Sequence, residues 1–211
     1  MKYVDNKNQN KWRNDIQTPE YLAKEIVEYY NPSGSILEPC VGEGNFIKYF
    51  PGDRICFCDI FIPQSSFVNK VNERFEIIKK DNWDCIDFLQ YKGFKLEYND
   101  YKMKQHVYRD EIDGILKKYP FDWIITNPPY NLFKEFLEKS CQISNNIVFL
   151  APLNKMLGLK STYKILEKYN FGIKSIKIWN TPKEFPQSGF SLGTVHFKYY
   201  ESGCVDFYKT T

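Results

Sequence analysis

Short apolar runs recur along this chain of 211 residues in the order SILEP, RICFC, FEIIKK, DWIIT, NNIVFLAP, SIKIW and GTVHFKYY, separated by stretches with helical spacing. Runs of that length ending in turn residues read as buried strands, and the intervening helical patterns are the crossovers that parallel strands need. The rhythm predicts an α/β fold, a three-layer sandwich around a mostly parallel sheet whose strand C-termini converge on a ligand cleft. Glu38, Asp59, Asp81 and Asn127 all fall at such strand ends. Four polar residues sharing one edge point to a site. At 43% hydrophobic residues the chain can bury one substantial core, which suits a single domain over residues 1–211 with an insertion at about 90–119.

The most specific of these ends is Asn127-Pro128-Pro129-Tyr130, directly behind FDWIIT. Two prolines fix φ and remove backbone donors, so the carbonyls of the corner face outward as acceptors. The Asn127 side-chain oxygen adds another acceptor and Tyr130 a flat face. The corner can thus grip a planar –NH2 group by both hydrogens. Upstream, Glu38-Pro39 ends a strand and opens into Gly42-x-Gly44, where backbone can approach a ligand closely. A third glycine and a Lys-Ser/Thr pair are both missing, which disfavours a pyrophosphate ligand and leaves room for a cationic one. Asp59-Ile60, after the next run, is placed to accept hydrogen bonds from ribose hydroxyls.

In this order the pieces resemble the gamma-type S-adenosylmethionine-dependent amino-methyltransferases of DNA. QTPEYLAKEI is similar to the family's N-terminal segment, LEPCVGEGNF to its glycine loop, Asn127 to Tyr130 to its catalytic corner, and EFPQSGFSLGTVHF to a loop whose aromatic residue packs on the target base. The resemblance implies a Rossmann-like methyltransferase fold with a seven-stranded sheet and an antiparallel edge. S-adenosylmethionine would be held by Thr18, Pro19, Glu38, Pro39, Gly42, Gly44, Asp59, Ile60 and Asn127. An acid after the third strand would contact its adenine, and two positions compete: Asp81 by distance from Asp59, Asp87 by its neighbour Phe88. Asn127, Pro128, Pro129 and Tyr130 would be catalytic, with Tyr130 and Phe185 stacking on a flipped adenine. The implied activity is methylation of the adenine N6 amine in DNA. RNA adenine, a glutamine amide of a release factor, and a non-catalytic nucleic-acid-binding subunit are the alternatives. The glutamine enzymes usually carry an N-terminal helical domain that this chain is not expected to hold. Nor is a separate target-recognition domain expected, so a partner chain supplying recognition is one of the open arrangements.

A net charge of +3 says little about nucleic acid, but its distribution says more: Lys155, Lys160, Lys164, Lys168, Lys174, Lys177 and Lys183 are set against Glu167 before Glu184 is reached. Lys155, Lys160, Lys164 and Lys183 are the candidate phosphate contacts, against the alternative of an ordinary lysine-rich surface. The insertion interleaves aromatic and basic residues with acids, and reads equally as a small helical unit or as a DNA-contacting one. Six cysteines show neither metal spacing nor a disulfide framework, so no metal is expected and Cys56 and Cys58 read as buried thiols. His106 is assigned no role. No apolar run approaches a membrane span and the first fifteen residues are too polar for a secretory signal, so a cytoplasmic protein is expected.

Overall fold

Period-two alternation along the central strands sorts apolar side chains onto the two faces of one sheet, and helices cover each face. The computed structural model describes residues 16–51, 55–57, 88–89, 111–112, 115–116, 121–185 and 189–200. Its strands in chain order are β1 Ile36–Glu38, β2 Ile55–Phe57, β3 Glu111–Ile112, β4 Ile115–Leu116, β5 Phe121–Thr126, β6 Ser144–Pro152, β7 Phe171–Ile178 and β8 Leu192–Tyr199. Six of them form one sheet in the order β2-β1-β5-β6-β8-β7. β2, β1, β5 and β6 run parallel, whereas β8 is antiparallel to both β6 and β7. The expected antiparallel edge is present. The expected strand FEIIKK, which would make a seventh, lies outside the described residues.

Helix α1, Glu20–Tyr30, buries Leu22, Ala23, Ile26 and Val27, the stripe that a helix of 3.6 residues per turn puts on one side. They pack with Ile36, Ile125, Val148, Leu150 and Leu192 on one sheet face. The next residue along each strand faces the other way, so Leu37, Ile124, Ile147, Phe149 and Val195 join Phe133, Leu137 and Leu166 in a second cluster. Those partners come from α2, Phe133–Ile143, and α4, Lys160–Tyr169; the short α3, Leu153–Leu157, adds Met156. Each large side chain fully buried in this way contributes about 1.5–3 kcal/mol. β8 is buried through six consecutive residues because both its faces are covered, while the outer strand β7 alternates and exposes Ile176 and Ile178.

Local chemistry sets the boundaries. α1 stops at Asn31, which takes a left-handed φ of 42° and returns its N–H to Val27, and Pro32 follows. The helical pattern after the glycine loop yields only one 3-10 turn, Ile47–Tyr49, because Pro51 forces Phe50 into an extended ψ of 130°. The starts of β1 and β5 are tied by the Asp122 carboxylate, which accepts from the Ser35 N–H at 2.8 Å and the Ser35 hydroxyl at 3.0 Å. Within the insertion the described residues form the antiparallel pair β3 and β4 rather than a helix. Cys141 is buried in α2, where burial pushes its thiol pKa up, and Cys40 is half-buried. The side chain of Cys56, and Cys58, lie outside the described residues.

Candidate active site

β1 and β5 are neighbours, but β1 leads outward to β2 on one side and β5 to β6 on the other. Such a reversal of strand order opens a crevice beyond the strand C-termini, the usual ligand position in open α/β sheets. The register aligns Leu37 with Ile124, so Glu38, the last residue of β1, and Asn127, the first after β5, leave the same edge on adjacent strands about 5 Å apart. Glu38 is only 1% exposed. Beyond it Pro39 is buried, and the chain turns through Gly42 at φ 48° and Gly44 at φ 77°, values that an L side chain adopts only under strain. The Gly44 N–H closes this turn on the Val41 carbonyl at 2.7 Å.

The segment before α1 joins both loops. Asn127 donates from Nδ2 to the Ile16 carbonyl at 3.3 Å. The Gln17 side-chain oxygen accepts from the Glu43 N–H at 3.3 Å, and the Thr18 carbonyl accepts from Asn45 Nδ2 at 2.8 Å. Pro19 then enters α1 at φ −57°, the angle its ring imposes. Thr18, Pro19, Gly42, Gly44 and Asn127 are therefore brought to one place. Gln17, Asn45 and the Ile16 carbonyl complete it and were not among the expected site residues. Gln17 and Asn45 flank the two motifs directly, which is the one trace of them in the sequence.

Among the described residues, Asn45 Oδ1, the Thr126 hydroxyl, Asn127 Oδ1 and the Tyr130 hydroxyl are buried without a hydrogen-bond partner. Each such atom costs about 1–3 kcal/mol. Three of them fall within five residues at the end of β5, and the fourth belongs to Asn45, which follows the glycine turn; the hydroxyls of Ser140 and Thr162, also without a partner among the described residues, lie in helices of the opposite face. Burial pushes the Tyr130 pKa up, with the neighbouring Asn127 side chain offsetting part of the rise, so the phenol stays protonated and neutral. Pro128 is buried and Pro129 passes into a 3-10 turn, Tyr130–Leu132, that leads into α2. The corner is uncharged, and among the described residues Asn127 Oδ1 stands as an unpartnered acceptor near the Tyr130 ring, while the Pro129 carbonyl already accepts from the Leu132 N–H at 2.9 Å. Together with the strained glycine turn and the buried carboxyl of Glu38, this acceptor suits a ligand bearing positive charge and N–H groups.

Phe185 is not an open stacking face: it is 3% exposed and packs with Leu22, Ala23 and Phe46 in the core cluster beneath α1. Its loop still borders the cleft, since the Ser191 carbonyl accepts from the Leu153 N–H just beyond β6. Next to Ser191, Phe190 is exposed. Lys155, Lys160, Lys164 and Lys183 are exposed, on or beside segments that leave this edge. Lys168 instead pairs with Glu138 at 2.7 Å, and Lys177 lies over the rings of Tyr29 and Trp179. Phe88 is buried in the second cluster. Asp59, Ile60, Asp81 and Asp87 lie outside the described residues.

No protein-family model matches this chain, and no curated protein matches it. Solved structures match it in fold. A protein named as an RNA methyltransferase from Pyrococcus horikoshii superposes with a TM-score of 0.55 at 12% identity, over 90% of this chain and 88% of that one. Magnesium protoporphyrin IX methyltransferase from Synechocystis PCC 6803, solved with bound S-adenosylmethionine, gives 0.53 at 11% identity over 92% of each chain. A protein named as the modification subunit of a type I restriction enzyme from Vibrio vulnificus YJ016 gives 0.55 at 14% identity, over 91% of this chain but 46% of its own length. At identities this low the likeness is one of fold alone, a fold that this chain shares with these three proteins.

Proposed function

We propose that this chain transfers a methyl group from S-adenosylmethionine to the exocyclic N6 amine of adenine in DNA. The observation that carries the reading is the Asn127 side chain, whose Nδ2 is engaged by the Ile16 carbonyl while its buried Oδ1 has no partner among the described residues. A buried acceptor kept unsatisfied beside two prolines suits capture of an N–H donor. Thr18, Pro19, Glu38, Pro39, Gly42, Gly44 and Asn127 would hold the cofactor, with Asp59, Ile60 and either Asp81 or Asp87 completing its site; Phe88 drops out because its ring is committed to the second core cluster. When bound, S-adenosylmethionine supplies a methyl group already activated on a sulfonium.

The protein's part is alignment and electrostatics. Asn127 Oδ1 and the Pro128 carbonyl accept the two N–H hydrogens of the amine, which localises the nitrogen lone pair otherwise spread into the ring. Pro129 adds no N–H donor to the corner. As positive charge develops on the nitrogen, the same acceptors stabilise it. Tyr130, neutral because its pKa is raised, stacks on the base and adds a cation–π contribution. A paired base cannot reach the corner, so the target is flipped out or single-stranded. For the opposite face, exposed Phe190 replaces Phe185 in this reading, because the Phe185 ring is committed to the core. Lys155, Lys160, Lys164 and Lys183 contact phosphates.

Purified protein and methyl-labelled cofactor, offered to duplex DNA, single-stranded DNA, RNA and a release factor, test the reading by mass spectrometry of the products. N6-methyladenine in DNA is the expected product. Label found in RNA alone, on a glutamine, or nowhere would overturn it.

A further inference from the structure

We propose that the strap at residues 16–18 decides which end of the Asn127 amide faces the cleft, and that Gln17 and Asn45 are the positioning residues that hold it. The inference rests on the methyl-transfer reading only for its kinetic consequence. The two ends of an amide are nearly the same in shape and differ in hydrogen bonding alone. The Ile16 carbonyl can only accept, and it faces Nδ2 at 3.3 Å. Turning the amide over would set Oδ1 against that carbonyl, two acceptors facing, and present a donor to a substrate that itself donates. Orientation of the catalytic oxygen is therefore set by a backbone group 111 residues away in sequence.

That backbone group lies ahead of α1, outside any helix or strand. Two side chains of opposite polarity hold it to the glycine loop. Gln17 works as an acceptor, taking the Glu43 N–H, and Asn45 works as a donor, giving to the Thr18 carbonyl. The glycine loop and the catalytic corner are thereby referenced to the same three residues. A shift of the strap moves Asn127 relative to Gly42 and Gly44, and misalignment of that kind costs rate steeply.

The opposite polarities make the test specific. Gln17→Glu keeps an acceptor and Gln17→Ala does not, whereas Asn45→Asp removes the donor that Asn45 supplies. In the protein without substrate, the Asn127 side-chain NH2 pair, assigned by its loss in Asn127→Ala, is followed by solvent exchange in nitrogen–proton correlation spectra. Gln17→Ala and Asn45→Asp are expected to speed that exchange about tenfold and to lower kcat by a similar factor or more, with Gln17→Glu restoring both. Exchange unchanged in Gln17→Ala, or Gln17→Glu as impaired as Gln17→Ala, would overturn the proposal. Gln17 is exposed, so this pair stays decisive if buried Asn45→Asp does not fold. The exchange readout needs no substrate: altered exchange with no methylated adenine sinks the proposed function and leaves the strap standing, and methylated adenine with unaltered exchange does the reverse.

Discussion

Lowering the pH should cost this fold stability through one side chain, His196. It sits in β8, 2% exposed, edge-on to the Tyr30 ring and 5.1 Å from that of Trp123. Asn146 turns its Nδ2 to the Asp122 carbonyl and to Asn145 Oδ1, so its Oδ1 is left to accept from His196 Nε2–H at 3.1 Å. Burial, and then the charges of Lys174 and Lys198, push the His196 pKa down to about 4 from 6.5. The unfolded chain takes up a proton as pH falls through 6.5, and the folded chain does not follow until about 4. The contribution is thus fully present above 6.5 and lost as pH falls toward 4. At about 1.4 kcal/mol per unit, the loss between pH 7 and pH 4.5 comes to roughly 2.5 kcal/mol. Urea unfolding across that range, for the parent and for His196→Gln, isolates the effect, since carboxylates common to both cancel in the difference. Glutamine can still donate to Asn146 and does not titrate. The stability advantage of the parent over the variant should shrink by about 2 kcal/mol or more as pH falls. A constant difference across the range would refute the assignment of a buried neutral imidazole.

Asn127→Ala should abolish methyl transfer in a labelled-methyl assay; an active variant contradicts the acceptor role. Gly42→Ala places a side chain at φ 48° with its Cβ against the Gln17 side chain. The backbone strain alone costs about 1–2 kcal/mol, and S-adenosylhomocysteine binding should weaken about tenfold; unchanged affinity would remove this turn from the cofactor site. Replacing Lys155, Lys160 and Lys183 by Ala should flatten the salt dependence of DNA binding by about 0.9 in log–log slope per lost phosphate contact. An unaltered slope would make these lysines ordinary surface.

Features carried by neighbouring residues were legible in the sequence. The run DWIIT is the body of β5, NNIVFLAP ends β6 at its last residue, and Thr18-Pro19 opens a helix, because apolar spacing and proline act within a few residues. The same range of influence explains the glycine loop. It also explains one shortfall: the helix-like pattern after the glycine turn yields a single 3-10 turn, because Pro51 holds Phe50 extended. Phe185 was misplaced for a different reason. Its neighbours mark the loop correctly, but which way a ring turns depends on α1 and the glycine loop, more than a hundred residues earlier. Lys168 was counted as part of a one-sided charge because Glu138, its partner at 2.7 Å, belongs to another helix.

By itself the sequence determined the alternation of elements, the acceptor-rich proline corner and the flexible glycine turn, all of which follow from local φ, ψ and side-chain chemistry. Only the tertiary structure decided that β8 enters between β6 and β7, that the corner and the turn leave adjacent strands, and that the Ile16 carbonyl holds one end of the Asn127 amide. Those outcomes depend on contacts between segments far apart in the chain, where packing of the whole core, rather than any local preference, selects which groups meet.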